Sequence, residues 1–306
     1  MQPEHSYARV IDYVRRTPWA VTPETLAVIV DVLRFRAAGG RFTREQLAAR
    51  VGVSAQARLA EARTGGGTAV IGLRGLLAHR ADAFDDVSGP QGTSMERFGA
   101  RFRAALADDS VGSIVLDVDS PGGAADGITE MGDEIFAARG EKPIVAVANT
   151  MAASAGYWLA SQADEVVATP SALVGSIGVF AAHEDLSERL KMLGVNITLV
   201  SAGRFKVEGN PFEPLDDDGR AAIQTLVDTV YRDFVGAVAR GRGVKAKEVR
   251  AGFGEGRVLM ADAARAEGMV DRVETLDATL QRLQRGRRRR SSTAARQFAF
   301  RELNFY

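Results

Sequence analysis

A serine lies in a run of small residues directly after an apolar segment, where a nucleophile is expected. Ser154 belongs to the run Thr150–Trp158, and the apolar run Ile144–Ala148 before it predicts a buried strand. A serine on a tight turn from a strand into a helix presents its Oγ beside backbone N–H groups that have no other partner. The pattern predicts acyl-transfer chemistry at Ser154, provided that the chain also supplies a base and an oxyanion hole.

A glycine loop is the second candidate element. Asp119–Gly123 follows the apolar run Ser113–Val118 directly. Two glycines after a proline let the backbone approach a ligand closely and direct N–H groups at it. An ordinary proline–glycine turn explains the same residues equally well. A phosphate-binding loop does not, because the patterns GxxxxGK[ST] and GxGxxG are both missing.

The candidate base is a lysine in the loop Ser201–Pro211. Lys206 has glycines on both sides and follows Ser154 by 52 residues along the chain. A lysine acts as a general base only when it is neutral, which requires a pKa well below the ordinary value of about 10.4. Most lysines are solvated surface residues. Lys206 is a candidate base only because the chain also contains the Ser154 turn and the glycine loop.

Four segments together resemble the signal peptide peptidase A family of serine peptidases, which has the Clp protease/crotonase fold. They occur in the family's order and with similar spacing: Asp119–Gly123, Met151–Tyr157, Val174–Val179 and Gly203–Pro211. The resemblance covers roughly residues 67–275. It implies that the chain is a serine peptidase with Ser154 as the nucleophile and Lys206 as the general base.

The same resemblance assigns supporting roles to four further residues. Gly123 and Ala155 would supply the oxyanion-hole N–H groups, each worth about 2.7–4 kcal/mol in the transition state. Gly122 would support this loop. Ser176 matches a family serine placed to hydrogen-bond the lysine, although an ordinary turn residue at this position is an equally good interpretation. A Ser/Lys mechanism of this kind needs no cofactor and no metal ion.

Alternating strands and helices must position these residues. Beyond residue 67, short β-branched runs alternate with helical segments, which predicts βαβ units and a largely parallel sheet. The predicted strands are Ala69–Leu73, Ser113–Val118, Ile144–Ala148, Glu165–Ala168 and Ile197–Val200. The predicted helices are Met95–Ala107, Gly127–Arg139, Asp216 to about Arg240 and Ala261–Gly268. The predicted class is therefore α/β, and the family resemblance implies a Clp protease/crotonase-like core of repeated ββα units.

Three regions follow from changes in composition along the chain. Residues 1–64 form a small helical N-terminal segment, in which Thr22–Glu24 supplies an N-cap, a proline at the first helical position and an early acid. A second helix is expected from Thr43. The linker Thr64–Thr68 leads into the peptidase domain, residues 67–276. Residues 277–306 are rich in arginine and are expected to form a flexible tail.

Composition excludes several classes of function. The 39 Lys and Arg residues balance 39 Asp and Glu residues, so overall charge does not indicate a nucleic-acid partner. The absence of cysteine excludes thiol catalysis, disulfides and cysteine-based metal sites. No uncharged apolar run approaches the ~18 residues of a membrane span, and the N-terminal residues lack a secretory pattern. We expect a cytoplasmic protein.

The N-terminal residues Pro18–Leu26, ahead of a helix, resemble the phage and prophage branch of the family. Members of that branch process capsid and scaffold proteins during prohead maturation, inside the host cytoplasm or the prohead. The family resemblance also implies a homo-oligomer acting on protein or peptide substrates. A signal-peptide peptidase or a general protein-degrading peptidase of the same family is the alternative.

Three other interpretations remain open at this point. His183 follows Ser154 by 29 residues and would be the base of a Ser-His-Asp triad. A crotonase-type acyl-CoA enzyme shares the fold and the oxyanion hole, but it has no use for a Ser/Lys pair. Phe42–Arg63 resembles a helix-turn-helix, with the C-terminal arginines as phosphate contacts. We favour a packed helical hairpin for that segment over DNA binding.

Overall fold

The structure is a computed structural model, and it describes residues 17–37, 63–65, 67–80 and 92–286. The strands assigned there are β1 (Trp19–Val21), β2 (Arg63–Gly65), β3 (Thr68–Ala78), β4 (Gly92–Ser94), β5 (Ser113–Ala124), β6 (Ile144–Ala153), β7 (Glu165–Ala168), β8 (Leu173–Gly175), β9 (Val258–Met260) and β10 (Arg272–Val273). The helices are α1 (Pro23–Ala37), α2 (Met95–Ala107), α3 (Ile128–Ala137), α4 (Ala155–Ala160), α5 (Ser187–Met192), α6 (Asp217–Arg242), α7 (Ala246–Ala251) and α8 (Ala261–Ala266), followed by α9 (276–286).

These strands form one sheet whose main path runs β10-β7-β6-β5-β3-β2. Every neighbouring pair from β3 to β10 on this path is parallel, and β2 joins the edge antiparallel to β3. Such parallel pairs need crossover connections, which α2, α3 and α4 provide between successive strands. The predicted α/β class and largely parallel sheet are confirmed.

Both faces of the sheet are covered, as a parallel sheet requires. One face of β5, with Ile114, Leu116 and Val118, belongs to the main core beneath the helices. Within that core the Trp158 and Phe234 rings stack at 4.5 Å, which holds α4 against α6. The alternate face of the sheet forms a second apolar cluster, against which α9 packs through its leucines.

The helix boundaries follow from capping residues. The side chain of Ser94 accepts a hydrogen bond from the Arg97 N–H at the start of α2, and Asp216 Oδ1 accepts one from the Gly219 N–H, at 2.8 Å, at the start of α6. Both side chains satisfy amide groups that lack a partner inside the helix. At the other end of α6, Gly243 takes the left-handed conformation that commonly ends helices. The predicted starts of these two helices are confirmed.

Three segments differ from the expectations. The predicted strand Ile197–Val200 is wrong, because these residues have no regular structure and Val200 is 95% exposed. The N-terminal segment is not wholly helical, since Trp19–Val21 is a strand of the main sheet. Residues 277–286, expected to begin a flexible tail, instead form a packed helix together with Leu276. The helix expected from Thr43 and the arginine-rich residues after 286 lie outside the described residues.

No helix of the described residues is both long enough and apolar enough to cross a membrane.

Candidate active site

Ser154 occupies the junction between β6 and α4 in a strained backbone conformation. Its φ is 54° and its ψ is −120°, a combination that residues other than glycine rarely adopt. The conformation is held from both sides: the Ser154 N–H donates to Gly175 O at 2.7 Å, and the Ser154 carbonyl accepts from the Trp158 N–H at 2.9 Å. This is the geometry of a serine delivered on a sharp strand-to-helix turn.

The Ser154 side chain is completely buried, and its Oγ has no hydrogen-bond partner in the described part of the chain. A buried hydroxyl without a partner is costly, and such groups mark strained or catalytic positions. Next to it, α4 begins at Ala155, whose N–H has no acceptor inside the helix. That amide is therefore suited to stabilise negative charge developing beside Ser154.

The glycine loop at the end of β5 lies against Ser154. A Cβ placed on Gly122 would stand 2.9 Å from Ser154 Cβ, and one on Gly123 would stand 1.9 Å from the carbonyl oxygen of Leu77. Gly122 also has a φ of +106°. Both positions consequently require glycine, and the loop backbone runs within contact distance of the serine.

Ser120 holds this loop in place, and sequence reasoning did not identify it. Its Oγ donates to Gly75 O at 2.7 Å and accepts from the Gly122 N–H at 3.1 Å. A Cβ on Gly156 would lie 3.2 Å from Ser120 Cβ, so α4 can approach only because residue 156 is small. The Gly122 amide is engaged inside the loop, which leaves the Gly123 amide as the loop's candidate oxyanion donor. The only sequence signal for Ser120 is its place before Pro121.

Ser176 lies one residue beyond β8, which pairs with the end of β6. Ala153 is opposite Gly175 in this pairing, so Ser154 and Ser176 each follow one member of the same residue pair. Ser176 is nearly buried and has a φ of 54°, and its N–H donates to Arg257 O at 2.8 Å. The structure therefore brings Ser176 to the Ser154 end of the sheet in a strained conformation of its own.

Lys206 is not brought together with Ser154 within this chain. It lies in an exposed turn, where its N–H donates to Gly203 O at 3.1 Å. Ser154 Oγ has no hydrogen-bond partner among the described residues, so Lys206 Nζ is not bonded to it. His183 is not bonded to it either, since His183 Nε2 lies 3.1 Å from the carbonyl oxygen of Asn210. The candidate nucleophile and the glycine loop are adjacent, whereas the candidate base is not bonded to them.

The glycine loop begins with a half-buried carboxyl group, that of Asp119. Burial raises the pKa of Asp119, although the neighbouring Arg74 opposes the shift and the nearby Asp117 adds to it. Asp117 itself is buried, pairs with the Arg74 guanidinium and accepts from Asn149 Nδ2 at 3.0 Å. Among the described residues no group of three or more His, Asp or Glu is arranged to hold a metal ion.

The strand β1 is the second element that sequence reasoning missed at this site. It pairs antiparallel with the end of β5, with Ala20 opposite Gly123 and Val21 opposite Gly122. It therefore lies directly over the glycine loop. The residues Pro18–Leu26 contain no extended alternating pattern that could have predicted a strand of three residues.

The chain is similar to a known peptidase family and to several proteins of phages and cells. The model of peptidase family S49 matches residues 137–289. The capsid assembly protease C of Escherichia phage lambda is 36% identical over 231 residues, covering 72% of this chain and 52% of that protein. The head-tail preconnector protein GP5 of Enterobacteria phage P21 is 37% identical over 183 residues, covering 60% of this chain and 36% of that protein.

A cellular protein is also similar. Protease 4 of Salmonella typhi is 31% identical over 217 residues, covering 71% of this chain and 34% of that protein. The chain thus spans about half or less of the length of these three relatives.

Proposed function

The chain belongs to peptidase family S49, and from this we propose that it is a serine endopeptidase with Ser154 as its nucleophile and Lys206 as its general base. One observation carries the proposal: Ser154 is held in a strained turn against Gly122, and its Oγ is buried with no hydrogen-bond partner among the residues that the structure describes. A structural serine gains nothing from this arrangement. An attacking hydroxyl that must be positioned before its substrate arrives requires it.

The reaction is a two-step acyl transfer. Neutral Lys206 takes the proton of Ser154 Oγ while the oxygen attacks the scissile carbonyl carbon, and the amides of Gly123 and Ala155 hold the resulting oxyanion. Lys206 then protonates the leaving amine, and water releases the acyl group from Ser154. Ser176 orients the lysine by hydrogen bonding. Each oxyanion donor contributes about 2.7–4 kcal/mol to the transition state.

Association of two copies completes the site in this proposal. The segment that carries Lys206 also exposes large apolar side chains, namely Met192, Val200 and Phe205. Exposed apolar surface of this kind is typical of an interface with another chain. The base would then reach Ser154 only in a homo-oligomer, in which Lys206 of one copy meets the nucleophile of its neighbour.

The proposed substrates are proteins of a phage capsid. The relatives from the phages lambda and P21 are named as a capsid assembly protease and a head-tail preconnector protein. We therefore place the activity in prohead maturation, in the host cytoplasm or inside the prohead, with capsid or scaffold protein as the substrate.

Inactive variants test the dyad. Hydrolysis of casein and of a capsid protein encoded beside this chain should be lost in Ser154→Ala and in Lys206→Ala, and retained in His183→Ala. Mixing the Ser154→Ala and Lys206→Ala proteins should restore about a quarter of wild-type activity, because random association pairs intact residues from different copies.

Two results would overturn these assignments. Hydrolysis that persists in Ser154→Ala would show that Ser154 is not the nucleophile. Activity of the Lys206→Ala protein would show that Lys206 is not the base. If each single variant is inactive and the mixture stays inactive, the site is completed within one chain.

A further inference from the structure

The strand β1 is inserted between two other segments of chain at the candidate site. On one side the Trp19 N–H donates to Phe180 O at 2.8 Å, and the Phe180 N–H donates to Trp19 O at 3.1 Å. On the other side the Thr22 N–H donates to Pro121 O at 3.2 Å. Successive residues of β1 thus bond alternately to the two edges, which is how an extended peptide binds by strand addition.

The register places one carbonyl of β1 on the proposed oxyanion donor. In an antiparallel ladder every second pair exchanges two N–H···O bonds. The Ala125 N–H donates to Pro18 O and the Thr22 N–H donates to Pro121 O, so these two pairs occupy bonded positions of the ladder, each with a single bond because proline has no N–H. The Ala20–Gly123 pair lies midway between them. Ala20 and Gly123 therefore form a bonded pair, in which the Gly123 N–H donates to Ala20 O.

The same carbonyl lies close to the nucleophile. A Cβ placed on Gly122 would stand 2.1 Å from Ala20 O and 2.9 Å from Ser154 Cβ. Ala20 O and Ser154 Cβ therefore both lie close to the position that a Cβ of Gly122 would occupy. Ala20 is completely buried, as is Ser154, so a second peptide has no access to the serine while β1 is present.

The helix α1 packs against β1. The Trp19 and Val21 side chains pack with Leu26 and Val32 of α1 and with Ala124 at the end of β5. Because α1 follows β1 after a single residue, β1 is tethered beside the cleft even when its hydrogen bonds open. A tether of this kind keeps the effective concentration of the strand high.

We propose that β1 is an autoinhibitory strand, bound in the substrate cleft as a substrate would be. Ala20 takes the place of the residue whose carbonyl is attacked, and the Ala20–Val21 bond takes the place of the scissile bond. The strand must leave before a protein substrate binds. The proposal rests on the proposed function, because it takes Ser154 as the nucleophile.

A kinetic comparison of two matched variants tests this inhibition. A strand with a dissociation constant of about 0.1 mM, tethered at an effective concentration of about 1 mM, raises the apparent KM about tenfold. Ala20→Asp puts a charge into a fully buried position and should expel the strand, lowering KM about tenfold with kcat unchanged. Ala27→Asp makes the same change at an exposed site of α1 and should behave as wild type. A folded Ala20→Asp protein with unchanged or higher KM overturns the proposal.

A binding experiment decides the question without catalysis, so that it remains decisive if Ala20→Asp fails to fold. In the double variant Ser154→Ala, Trp158→Phe, Trp19 is the remaining tryptophan, because the chain has two. The probe is a synthetic peptide of residues 17–25 carrying Trp19→Phe, added to about 5 mM, several times the effective concentration of the tether. Saturable exposure of Trp19, seen as a red shift of its emission, supports displacement.

The control peptide carries Ala20→Asp as well and should cause no shift. An unchanged Trp19 spectrum with the first peptide shows that β1 is a permanent strand of the sheet and overturns the proposal. A wild-type chain that hydrolyses no peptide would instead count against the proposed function, and the fluorescence titration would still report on β1.

Discussion

Gly123→Ala tests whether the glycine loop stabilises the oxyanion. A Cβ on residue 123 would stand 1.9 Å from Leu77 O, 2.6 Å from Leu77 C and 2.7 Å from Leu77 Cα. All three atoms belong to the backbone of β3, so no rotation of a side chain relieves the clash. Real Cβ atoms essentially never approach another heavy atom closer than 3.0 Å, and the backbones of β3 and β5 must therefore separate here by at least about 1 Å.

The expected loss follows from this displacement. A catalytic group misplaced by about 1 Å costs about 10²-fold in rate, and complete removal of one oxyanion donor costs about 10²–10³-fold in kcat. We expect kcat of Gly123→Ala to fall by about 10²–10³-fold, equivalent to about 2.7–4 kcal/mol. The variant should also unfold at a lower temperature, because two neighbouring strands of the core are forced apart.

The assay is steady-state hydrolysis of a peptide substrate at a temperature where circular dichroism shows the variant to be folded. Gly236→Ala is the matched control. It makes the same change inside α6, where a new Cβ meets no atom within 4 Å. It should leave kcat unchanged and stabilise the helix by about 0.5–1 kcal/mol. A folded Gly123→Ala protein with wild-type kcat would refute the role of Gly123.

Three further outcomes concern stability. Ser154→Gly should be more stable than Ser154→Ala by about 1–3 kcal/mol in urea unfolding, because only glycine adopts a φ of 54° without strain. The opposite order of stabilities would contradict backbone strain at Ser154. Gly241→Ala should lower the melting temperature, since its Cβ would lie 2.1 Å from Ser161 O; an unchanged melting temperature would contradict this packing. Burial raises the folded-state pKa of Asp119, so wild type loses stability as the pH rises above about 3.8 and Asp119→Asn does not. The stability of Asp119→Asn relative to wild type should therefore increase between about pH 3 and pH 7, and a constant difference would contradict the shift.

The parallel core and the turn at Ser154 could be predicted because local residue types determine them. The apolar run Ile144–Ala148 fits only a strand buried on both faces, and the small residues after it are needed where α4 passes Ser120. Glycine at 122 and 123 is required by close contacts with β1, Ser154 and Leu77 of β3, and the Pro-Gly-Gly sequence by itself indicates such a close backbone approach. Such requirements restrict the residue types at these positions, so the sequence alone indicates them.

The position of Lys206 and the existence of β1 could not be predicted, because both depend on distant partners. Ile197–Val200 has the β-branched composition of a strand, but it pairs with no strand of the described residues, and Ile197 and Val200 are exposed. Trp19–Val21 has no strand pattern of its own and is ordered by two edges, Gly122–Ala124 and Phe180, that come from far along the chain. Strand propensity describes how well a segment fits into a sheet, whereas the strand edge with which the segment pairs is provided only by the tertiary structure.

In our proposals, Ser154 of a single chain is unable to react for two independent reasons. Among the described residues Ser154 Oγ has no hydrogen-bond partner that could take its proton, and a buried hydroxyl cannot ionise unaided because charge in a low-dielectric interior is strongly disfavoured. In addition, β1 pairs with Gly123 and by our proposal fills the position that an incoming carbonyl would need. Association that delivers Lys206 removes the first obstacle but not the second, so displacement of β1 is a separate requirement. In this proposal the peptidase becomes active only where copies of the chain and an extended substrate segment are concentrated together, as they are inside an assembling capsid.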